Sequence, residues 1–555
     1  MAEGCHTALS MAAEPGATVT DHGGELALAA LRPFGIDTLF TLSGGHVFPF
    51  YDAAVKRDPP VRIVDVRHEQ TATFAAEGHA RLTRGPGLAV LTAGPGVTNG
   101  VSAVVQARFN GSPVVVLGGR APQARWGAGS LQELDHVPLL ASVTKLARTV
   151  TAVEDIPAAV HDAAVTALTP RRGPVFVDFP LDVVFRHASA PVPDAVAPAA
   201  AEPDPDRVAE VAGLLARAER PMLIAGSDVW WGGAEDALVA ALEHLRVPAF
   251  ANGQGRGCLP ADHPLALSRT RALLKTEADL VVVVGTPLDF RLSFGSFGDA
   301  TVVHVVDSAE AAARHVDVLT QVGDLRTSLA GLAAHAGPRA DHEPWLARLA
   351  EREAAAAEAD RDRLESAATP ILPARVYGEL ARRLDRDAVV VCDGGDFVSY
   401  AGRYVAVHEP GCWLDSGPYG CLGTGMGYAI AARVAHPDRQ VVALLGDGAA
   451  GFSLMDADTL VRHGLPVVMV VGNNGIWGLE KHPMRALYGY DVAADLQPGC
   501  RYDQVVAALG GAGETVTEPG EIGPALDRAF AAGVPYLVNV LTDPDDAYPR
   551  SSNLG

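Results

Sequence analysis

A repeated unit constrains the fold of this chain more than any other feature. Each unit is a short β-branched run, a glycine-rich turn and a helical segment. The runs read RIVDV, GLAVLTAGPG and SPVVVLGG in the first third, PMLIAG, LVVVVGT and TVVHVVDS in the middle, and AVVVCDGG, QVVALLGDG, LPVVMVVGNN and PYLVNVLTD in the last. Continuous apolar strands that alternate with helices are typical of parallel sheets covered on both faces. The chain is therefore predicted to be an α/β protein with three doubly wound parallel-sheet domains.

Two stretches with the composition of linkers divide the chain into these domains. The first is Ala/Pro-rich and covers residues 188–205, and the second covers 336–373 and includes an Ala/Glu/Arg-rich helical segment. The predicted organisation is an N-terminal tail at 1–22 and domains at 23–187, 206–335 and 370–555. Each domain has an ordinary length for one hydrophobic core. In such folds ligands bind at the carboxyl ends of the strands, which is where the glycines of the repeat fall.

Charge and composition exclude several classes of partner. The 555 residues carry a formal net charge of −22, which argues against nucleic acid or a membrane surface as a partner. The longest apolar runs are strand-length, too short for a membrane span. The first residues lack the basic and apolar regions of a signal peptide, and the six cysteines contain no CxxC pair. We therefore expect a soluble cytoplasmic protein with reduced thiols.

The most informative segment covers residues 444–477. One strand ends at Gly446-Asp447-Gly448, a helix follows, and the next strand ends in a pair of asparagines that includes Asn474. Asp447 and Asn474 are therefore oxygen donors at adjacent strand ends, and Mg²⁺ combines a few such ligands with phosphate oxygens. The glycines allow the backbone to approach a diphosphate, which a helix N-terminus also favours.

With this spacing the chain resembles the thiamine-diphosphate-dependent enzymes of the acetolactate synthase, 2-hydroxyacyl-CoA lyase and oxalyl-CoA decarboxylase group. Their signature is GDG followed, after a helix and a strand, by NN. The resemblance covers nearly the whole chain and implies a pyrimidine-binding, a central and a diphosphate-binding domain, in that order. It also implies that Mg²⁺ binds Asp447, the side chain of Asn474 and the backbone carbonyl of Ile476, with Gly446 and Gly448 beside the diphosphate.

Glu69, in the sequence RIVDVRHEQ, matches the carboxylate that activates the cofactor in this group. Activation needs a carboxylate hydrogen-bonded to a pyrimidine nitrogen in a dry pocket. Taken alone, Glu69 would be an acid favoured by a helix N-terminus. Together with the diphosphate motif, the catalytic interpretation is favoured. For His68, a substrate contact and a structural role are equally open.

Two glycine turns match turns that lie near the pyrimidine and the thiazolium in the resembling enzymes. They contain Gly44 and Gly45 in LSGGH and Gly94 in TAGPGVTNG. Glu69 and Asp447 fall in different domains, and members of the group assemble each active site across a dimer interface. The resemblance therefore implies a homodimer or homotetramer.

Further site residues follow from the same resemblance. Leu422, in GCLG, matches the aliphatic residue that holds the cofactor in its bent shape, and Met426 is the alternative. Gln132, in SLQEL, matches a residue near the thiazolium; Glu133 beside it is a weaker candidate. Glu480 follows the cofactor turn and is predicted to handle substrate protons, or else to pair with the lysine after it.

The motifs that bear on the substrate resemble two different classes of enzyme. GFSLMD, NNGIWG and LDSGPYGCLGTGMGYAIAA resemble acyl-CoA lyases and decarboxylases, whereas LTAGPGVTNG and SLQELD resemble acetolactate synthases. Arg403 matches a phosphate-binding arginine of the acyl-CoA enzymes, and Arg550 and Ser551 could close over coenzyme A; both arginines could equally be solvated surface residues.

The leading hypothesis is cleavage of a 2-hydroxyacyl-CoA to formyl-CoA and an aldehyde or ketone. The alternative is an acetolactate synthase large subunit that condenses 2-oxo acids with decarboxylation. A non-catalytic nucleotide-binding paralogue is a remote third hypothesis, against which the intact Glu69, Asp447 and Asn474 argue.

The central block carries no catalytic signature, only features of a nucleotide site. A strand ends at Asp307, in a position where an acid commonly holds a ribose. Arg291, in LDFRL, resembles a turn beside the nucleotide in the same group of enzymes. The resemblance implies FAD in the acetolactate synthase branch and ADP in the acyl-CoA branch, and an empty site is the third possibility.

Overall fold

The computed structural model describes residues 17–196, 198–312, 318–334 and 340–548. Within these ranges it contains three six-stranded sheets whose strands all run parallel. The predicted α/β class is confirmed. The described chain divides into two compact units: one holds the residues up to Ala199 together with Tyr419–Cys421, and the other holds the remainder.

The first unit contains one of the three sheets. Its elements are β1 (Thr18–His22), α1 (Gly23–Leu31), β2 (Thr38–Leu42), α2 (Phe48–Lys56), β3 (Arg62–Asp65), α3 (Glu69–Thr83), β4 (Gly87–Leu91), α4 (Pro95–Asn110), β5 (Val114–Arg120), α5 (His136–Leu140), β6 (Leu146–Thr149), α6 (Ile156–Leu168), β7 (Val175–Pro180), α7 (Leu181–Val184) and β8 (His187–Pro191). The strand order is β3-β2-β4-β5-β7-β6. Strand order reverses between β2 and β4, so the ends of these two strands flank a crevice suited to a ligand.

Residues predicted as tail and linker contribute a strand pair to this unit. β1 lies inside the predicted tail and pairs antiparallel with β8, which begins just before the predicted linker. The hydroxyls of Thr20 and Ser189 are 2.6 Å apart across the pair. Only Ala190 of the two strands is fully buried, so the sequence shows no hydrophobic period there. Backbone hydrogen bonds hold this pair together.

The second unit begins with the central sheet. Its elements are α8 (Pro205–Arg217), β9 (Pro221–Ala225), α9 (Ser227–Trp231), α10 (Glu235–Leu245), β10 (Ala249–Ala251), β11 (Ala266–Leu267), α11 (Leu273–Thr276), β12 (Leu280–Val284), β13 (Thr301–Val306), α12 (Ala309–Ala312), β14 (Leu319–Val322), α13 (Leu325–Ala333) and α14 (Glu343–Leu364). The order is β11-β10-β9-β12-β13-β14. All five residues of β12 are buried, which explains its unbroken apolar sequence.

Helix α14 occupies most of the second predicted linker. It is polar, and its carboxylates bind residues of the second unit. The Glu353 carboxylate accepts backbone hydrogen bonds from Ser268 (2.9 Å), Arg269 (2.7 Å) and Thr270 (3.1 Å). These hydrogen bonds, together with the buried side chains of Trp345 and Leu349, anchor the helix. None of the helices in the described ranges is long and apolar enough to cross a membrane.

The third sheet completes the second unit. Its elements are α15 (Pro373–Leu380), β15 (Val389–Asp393), α16 (Asp396–Ser399), α17 (Ala401–Tyr404), β16 (Trp413–Asp415), α18 (Thr424–Ala435), β17 (Val441–Gly446), α19 (Asp447–Ser453), α20 (Ala457–Arg462), β18 (Val468–Asn473), α21 (Gly478–Tyr488), α22 (Tyr502–Ala508), β19 (Ala512–Val516), α23 (Ile522–Ala531) and β20 (Tyr536–Leu541). The order is β16-β15-β17-β18-β20-β19. Here strand order reverses between β15 and β17, at Asp393 and Gly446.

Candidate active site

The crevice of the first unit is lined by the two predicted glycine turns. A Cβ added to Gly44 would lie 2.3 Å from the Thr92 side chain, so only glycine fits there. Gly45 has no atom within 4 Å of the position its Cβ would take. Gly44, Gly45 and Gln132 all line one cavity of about 530 Å³. The structure therefore brings together residues predicted from separate motifs.

Glu69 is the first residue of α3 and is only 6% exposed. Asn99 Nδ2 donates to Glu69 Oε2 at 2.9 Å, and a Cβ on Gly96 would come 3.6 Å from Oε1. The asparagine therefore fixes one carboxylate oxygen, a role that sequence reasoning missed although Asn99 stands in the TAGPGVTNG motif. His68 caps α3: its Nδ1 accepts a hydrogen bond from the Gln70 N–H at 3.1 Å, which gives it a structural role.

Gln132 lies in a loop whose conformation is braced by its neighbour. Its φ of +60° is in the left-handed region, which costs a residue with a side chain about 1–2 kcal/mol. The Glu133 carboxylate accepts hydrogen bonds from the N–H groups of Gly127 (3.1 Å) and Ser130 (3.2 Å). Glu133, the weaker catalytic candidate, thus stabilises the loop that presents Gln132 to the cavity.

In the second unit, Asp447 begins α19 and is almost completely buried. Its Oδ1 accepts from the Gly448 N–H at 2.9 Å and its Oδ2 from the Gly475 N–H at 2.7 Å. Burial raises the pKa of Asp447 to about 6, because a desolvated carboxylate is costly. Asn474 Oδ1 accepts from the Ile476 N–H at 3.2 Å. The GDG and NN motifs therefore meet at the ends of the paired strands β17 and β18.

The oxygen donors at this place suit Mg²⁺. A carboxylate, an amide oxygen and a backbone carbonyl are the hard ligands this ion prefers, and a cation would offset the cost of burying Asp447. No group of three or more His, Cys, Asp or Glu side chains in the described residues could hold a metal. The predicted Mg²⁺ ligands instead combine the Asp447 carboxylate with the Asn474 side chain and the Ile476 main-chain carbonyl. Gly446 ends the strand, whereas Gly448 makes room for Trp477, whose ring would lie 2.4 Å from an added Cβ.

The two candidates for cofactor support differ in exposure. Met426 is fully buried within α18, whereas Leu422 is partly exposed just before that helix. The buried Asp393 carboxylate accepts from the N–H groups of Gly423 (3.2 Å) and Gly425 (2.8 Å) and so holds the start of α18. Burial raises the pKa of Asp393 to about 6. Sequence reasoning missed Asp393, whose only signal is an acid at the end of the apolar run AVVVCD.

Glu480 lies exposed in the first turn of α21. The predicted alternative was an ion pair with the following lysine. Lys481 instead bonds to the Asp495 carboxylate and lies 3.7 Å from that of Asp491. Glu480 is therefore not the partner that holds Lys481 in place.

A second cavity, of about 480 Å³, lies within the second unit and is lined by Arg256, Arg269, Arg271 and Arg403. Burial, and then the positive charges of Arg256 and Arg291, lower the pKa of Arg271 to about 10. Four guanidinium groups around one cavity suit an anion, although Asp360 already binds two of them, Arg269 and Arg403.

Several predicted nucleotide and coenzyme A residues are engaged inside the chain. Arg403 binds the Asp360 carboxylate with its Nε (3.0 Å) and Nη2 (2.8 Å), so it is not the free surface arginine of the alternative interpretation. Arg291 makes a similar two-point contact with Asp289, at 3.0 and 2.7 Å. Asp307 directly follows β13. Arg550 and Ser551 lie outside the described residues.

Comparison with known proteins identifies the family. Residues 21–139 match the thiamine pyrophosphate enzyme N-terminal TPP binding domain, 208–332 its central domain and 393–540 its C-terminal TPP binding domain. The chain belongs to the thiamine-diphosphate-dependent enzymes. Thiamine diphosphate is therefore its cofactor, and the non-catalytic hypothesis loses its support.

Named relatives fall into two groups. The chain is 53% identical over 541 residues, covering 96% of this chain and 98% of each relative, to a probable acetolactate synthase of Mycobacterium bovis and to the acetolactate synthase large subunit IlvG of Mycobacterium tuberculosis. It is 35% identical over 580 residues, or 95% of this chain and 90% of the relative, to 2-hydroxyacyl-CoA lyase 2 of Caenorhabditis elegans. The leading lyase hypothesis is not confirmed, and the acetolactate synthase alternative has the stronger support.

Proposed function

We propose that this protein condenses two 2-oxo acids with loss of carbon dioxide, as an acetolactate synthase does, using thiamine diphosphate and Mg²⁺. The observation that carries the proposal is the 53% identity, over 96% of the chain, to relatives named acetolactate synthase. The relatives named as lyases share less sequence, at 31–35% identity.

The cavity of the first unit agrees with a small 2-oxo acid. Its volume of about 530 Å³ lies within the usual range for small-molecule sites, and its lining includes Arg125, Leu131 and Leu181. A guanidinium can bind the carboxylate of a 2-oxo acid at two points. The leucines suit a short alkyl chain, and Gln132 offers an amide to the carbonyl oxygen.

Thiamine diphosphate, when bound, supplies the carbon nucleophile and the electron sink for decarboxylation. In the chain itself, Glu69 would exchange a proton with the pyrimidine of the bound cofactor. Asn99 fixes Oε2 of Glu69 at 2.9 Å, so that the carboxylate keeps one orientation. The near-complete burial of Glu69 excludes water from that proton.

The magnesium site is part of the same proposal. Asp447, the side-chain oxygen of Asn474 and the carbonyl of Ile476 would hold the ion, and Leu422 would support the cofactor. The hydrogen bond from the Gly475 N–H to Asp447, at 2.7 Å, keeps the two motifs together before a metal binds. Thermodynamically, Mg²⁺ and the carboxylate proton compete for Asp447.

A second candidate function, cleavage of a 2-hydroxyacyl-CoA, is favoured by one specific observation. The cavity of about 480 Å³ offers four arginines, which suits the phosphates of coenzyme A. ADP or FAD, the nucleotides expected for the central domain, would use the same charges. Against coenzyme A, Asp360 already binds both Arg269 (3.0 Å) and Arg403 (2.8 Å), and an incoming phosphate would have to compete with it.

Two matched arginine variants distinguish the proposed condensation of 2-oxo acids from cleavage of a 2-hydroxyacyl-CoA. Arg125→Gln should raise KM for pyruvate at least about tenfold, because it removes a charged hydrogen bond worth about 1.5–3 kcal/mol. Arg403→Gln should leave that KM unchanged. The opposite pattern, with Arg403→Gln impairing turnover of a 2-hydroxyacyl-CoA and Arg125→Gln without effect on pyruvate, would replace the proposed function by the second candidate.

Assembly and location stay predictions from the sequence. The resemblance implies a homodimer or homotetramer with active sites at a dimer interface, and light scattering of the purified protein would distinguish these from a monomer. The cytoplasmic location is likewise an expectation, which fractionation of the source cells would test.

A further inference from the structure

His136, the first residue of α5, makes a polar contact through each ring nitrogen. Its Nε2 lies 3.0 Å from the backbone nitrogen of Gly94, and its Nδ1 lies 2.9 Å from Asp178 Oδ2. Both His136 and Asp178 are 0% exposed. A peptide N–H can only donate, so Nε2 must be the unprotonated acceptor and Nδ1 must carry the proton that Asp178 accepts. The contacts therefore select one neutral tautomer.

Asp178, the partner of His136 Nδ1, is itself held by residues of the sheet. Asp178 lies on β7 opposite Gly118 of the neighbouring strand β5. Arg120, at the end of β5, donates from Nη1 to Asp178 Oδ2 at 3.2 Å and to Asp135 at 3.0 Å. Its guanidinium also lies 3.9 Å above the Trp126 ring. Two adjacent strands thus provide a rigid base for the imidazole.

The other ring nitrogen, Nε2, binds Gly94, which lies next to the cavity residue Gln132. Gly94 has a φ of +57° and immediately precedes α4. A Cβ on Gly94 would lie 2.9 Å from the Cβ of Gln132 and 3.1 Å from its backbone oxygen. Gln132 is itself held at a left-handed φ of +60°. Because these two backbones are in close contact, a shift of Gly94 would move Gln132.

We infer that His136 is a positioning residue for the reaction: with Asp178 and Arg120 behind it, it fixes the Gly94 N–H and thereby aims the Gln132 amide at the reacting carbonyl. The inference rests on the proposed function only in taking Gln132 as a substrate-facing side chain. Packing alone does not account for the arrangement, because an apolar ring of this size would leave the Gly94 N–H without this acceptor and Asp178 Oδ2 with Arg120 alone.

Two amide variants separate the hydrogen bond to Gly94 from the one to Asp178. Glutamine can place an oxygen near the position of Nε2, whereas asparagine reaches only to that of Nδ1. His136→Gln should keep kcat within about threefold of the parent, and His136→Asn should lower kcat about 10–100-fold, the usual cost of a misplacement near 1 Å. The dissociation constant for thiamine diphosphate should change less than about threefold in both.

A double-mutant cycle with Gln132→Ala tests whether His136 acts through Gln132. If it does, His136→Asn should lower kcat less than about threefold in the Gln132→Ala background. As a matched control, His161 is another buried histidine, whose Nε2 faces the Asp194 carbonyl at 2.7 Å, and His161→Asn should leave kcat unchanged. Equal kcat in His136→Gln and His136→Asn, or losses that simply multiply in the cycle, would overturn the inference.

If His136→Asn does not fold, Asp178→Ala carries the same test. It removes the acceptor of the Nδ1 proton, so the ring is no longer held against the Gly94 N–H. A fall in kcat of at least about fivefold, abolished in the Gln132→Ala background, is expected; an undiminished kcat overturns the inference. Failure of the proposed function is a separate result: the parent enzyme then turns over no 2-oxo acid, and the same cycle is run with the 2-hydroxyacyl-CoA that it cleaves.

Discussion

Replacing Asp393 by asparagine should change how the stability of α18 depends on pH. Burial raises the pKa of Asp393 from 3.8 to about 6, so this carboxyl is harder to ionise in the folded chain than in the unfolded one. The folded chain therefore binds the Asp393 proton more tightly than the unfolded chain does. This preference stabilises the fold fully below pH 3.8, the pKa of the unfolded chain. That contribution is lost as the pH rises from 3.8 through about 6.

The size of this pH-dependent free energy follows from the shift in the pKa of Asp393. About two pKa units correspond to roughly 3 kcal/mol in total, of which about 1.4 kcal/mol falls between pH 5 and pH 7.5. Asparagine does not ionise and, like the neutral acid that predominates at pH 5, has one good acceptor oxygen for the Gly423 and Gly425 N–H groups. Asp393→Asn should therefore match the parent within about 1 kcal/mol at pH 5 and gain about 1.4 kcal/mol relative to it by pH 7.5.

Hydrogen exchange of the α18 amides, followed by mass spectrometry on both proteins without cofactor, measures the local opening free energy at each pH. The difference between variant and parent is the quantity to compare, because it cancels the titration of Asp447. A difference that stays constant with pH, or that grows more destabilising as the pH rises, would refute the reasoning about Asp393.

Further predictions concern the proposed site. Asn99→Ala should lower kcat about 10–100-fold with an unchanged unfolding temperature, because it frees the Glu69 carboxylate to rotate; an unchanged kcat would contradict this. Gln132→Gly should not lower the unfolding temperature, since glycine accepts the left-handed backbone, but should lower kcat at least about tenfold. EDTA should abolish turnover and Mg²⁺ should restore it, and Asp447→Asn should raise the Mg²⁺ concentration for half-maximal activity at least about tenfold.

The strands and their glycine turns could be predicted because both leave local signals. A fully buried parallel strand such as β12 is apolar at every position, and a residue such as Gly94 is needed where the backbone turns left-handed beside Gln132. The β1–β8 pair left no such signal, since backbone hydrogen bonds rather than burial hold its residues.

The supporting residues of the site could not be read from the sequence. Asn99 contacts Glu69, and Asp393 contacts Gly423, across separations that only the folded chain closes. The same is true of Arg403. Its charge is evident from the sequence, but its ion pair with Asp360 is evident only from the fold. Local patterns and the family resemblance therefore name candidate groups for contact with the cofactor, and long-range contacts determine how those groups are held.

Analysis of the reaction products decides whether the protein condenses 2-oxo acids with thiamine diphosphate. The purified protein, with thiamine diphosphate and Mg²⁺, is given ¹³C-labelled pyruvate and a 2-hydroxyacyl-CoA together, and the products are identified by NMR and mass spectrometry. We expect labelled acetolactate and carbon dioxide from the parent, and no product from the Glu69→Gln variant. Formyl-CoA and an aldehyde without acetolactate, or full activity in Glu69→Gln, would contradict this expectation.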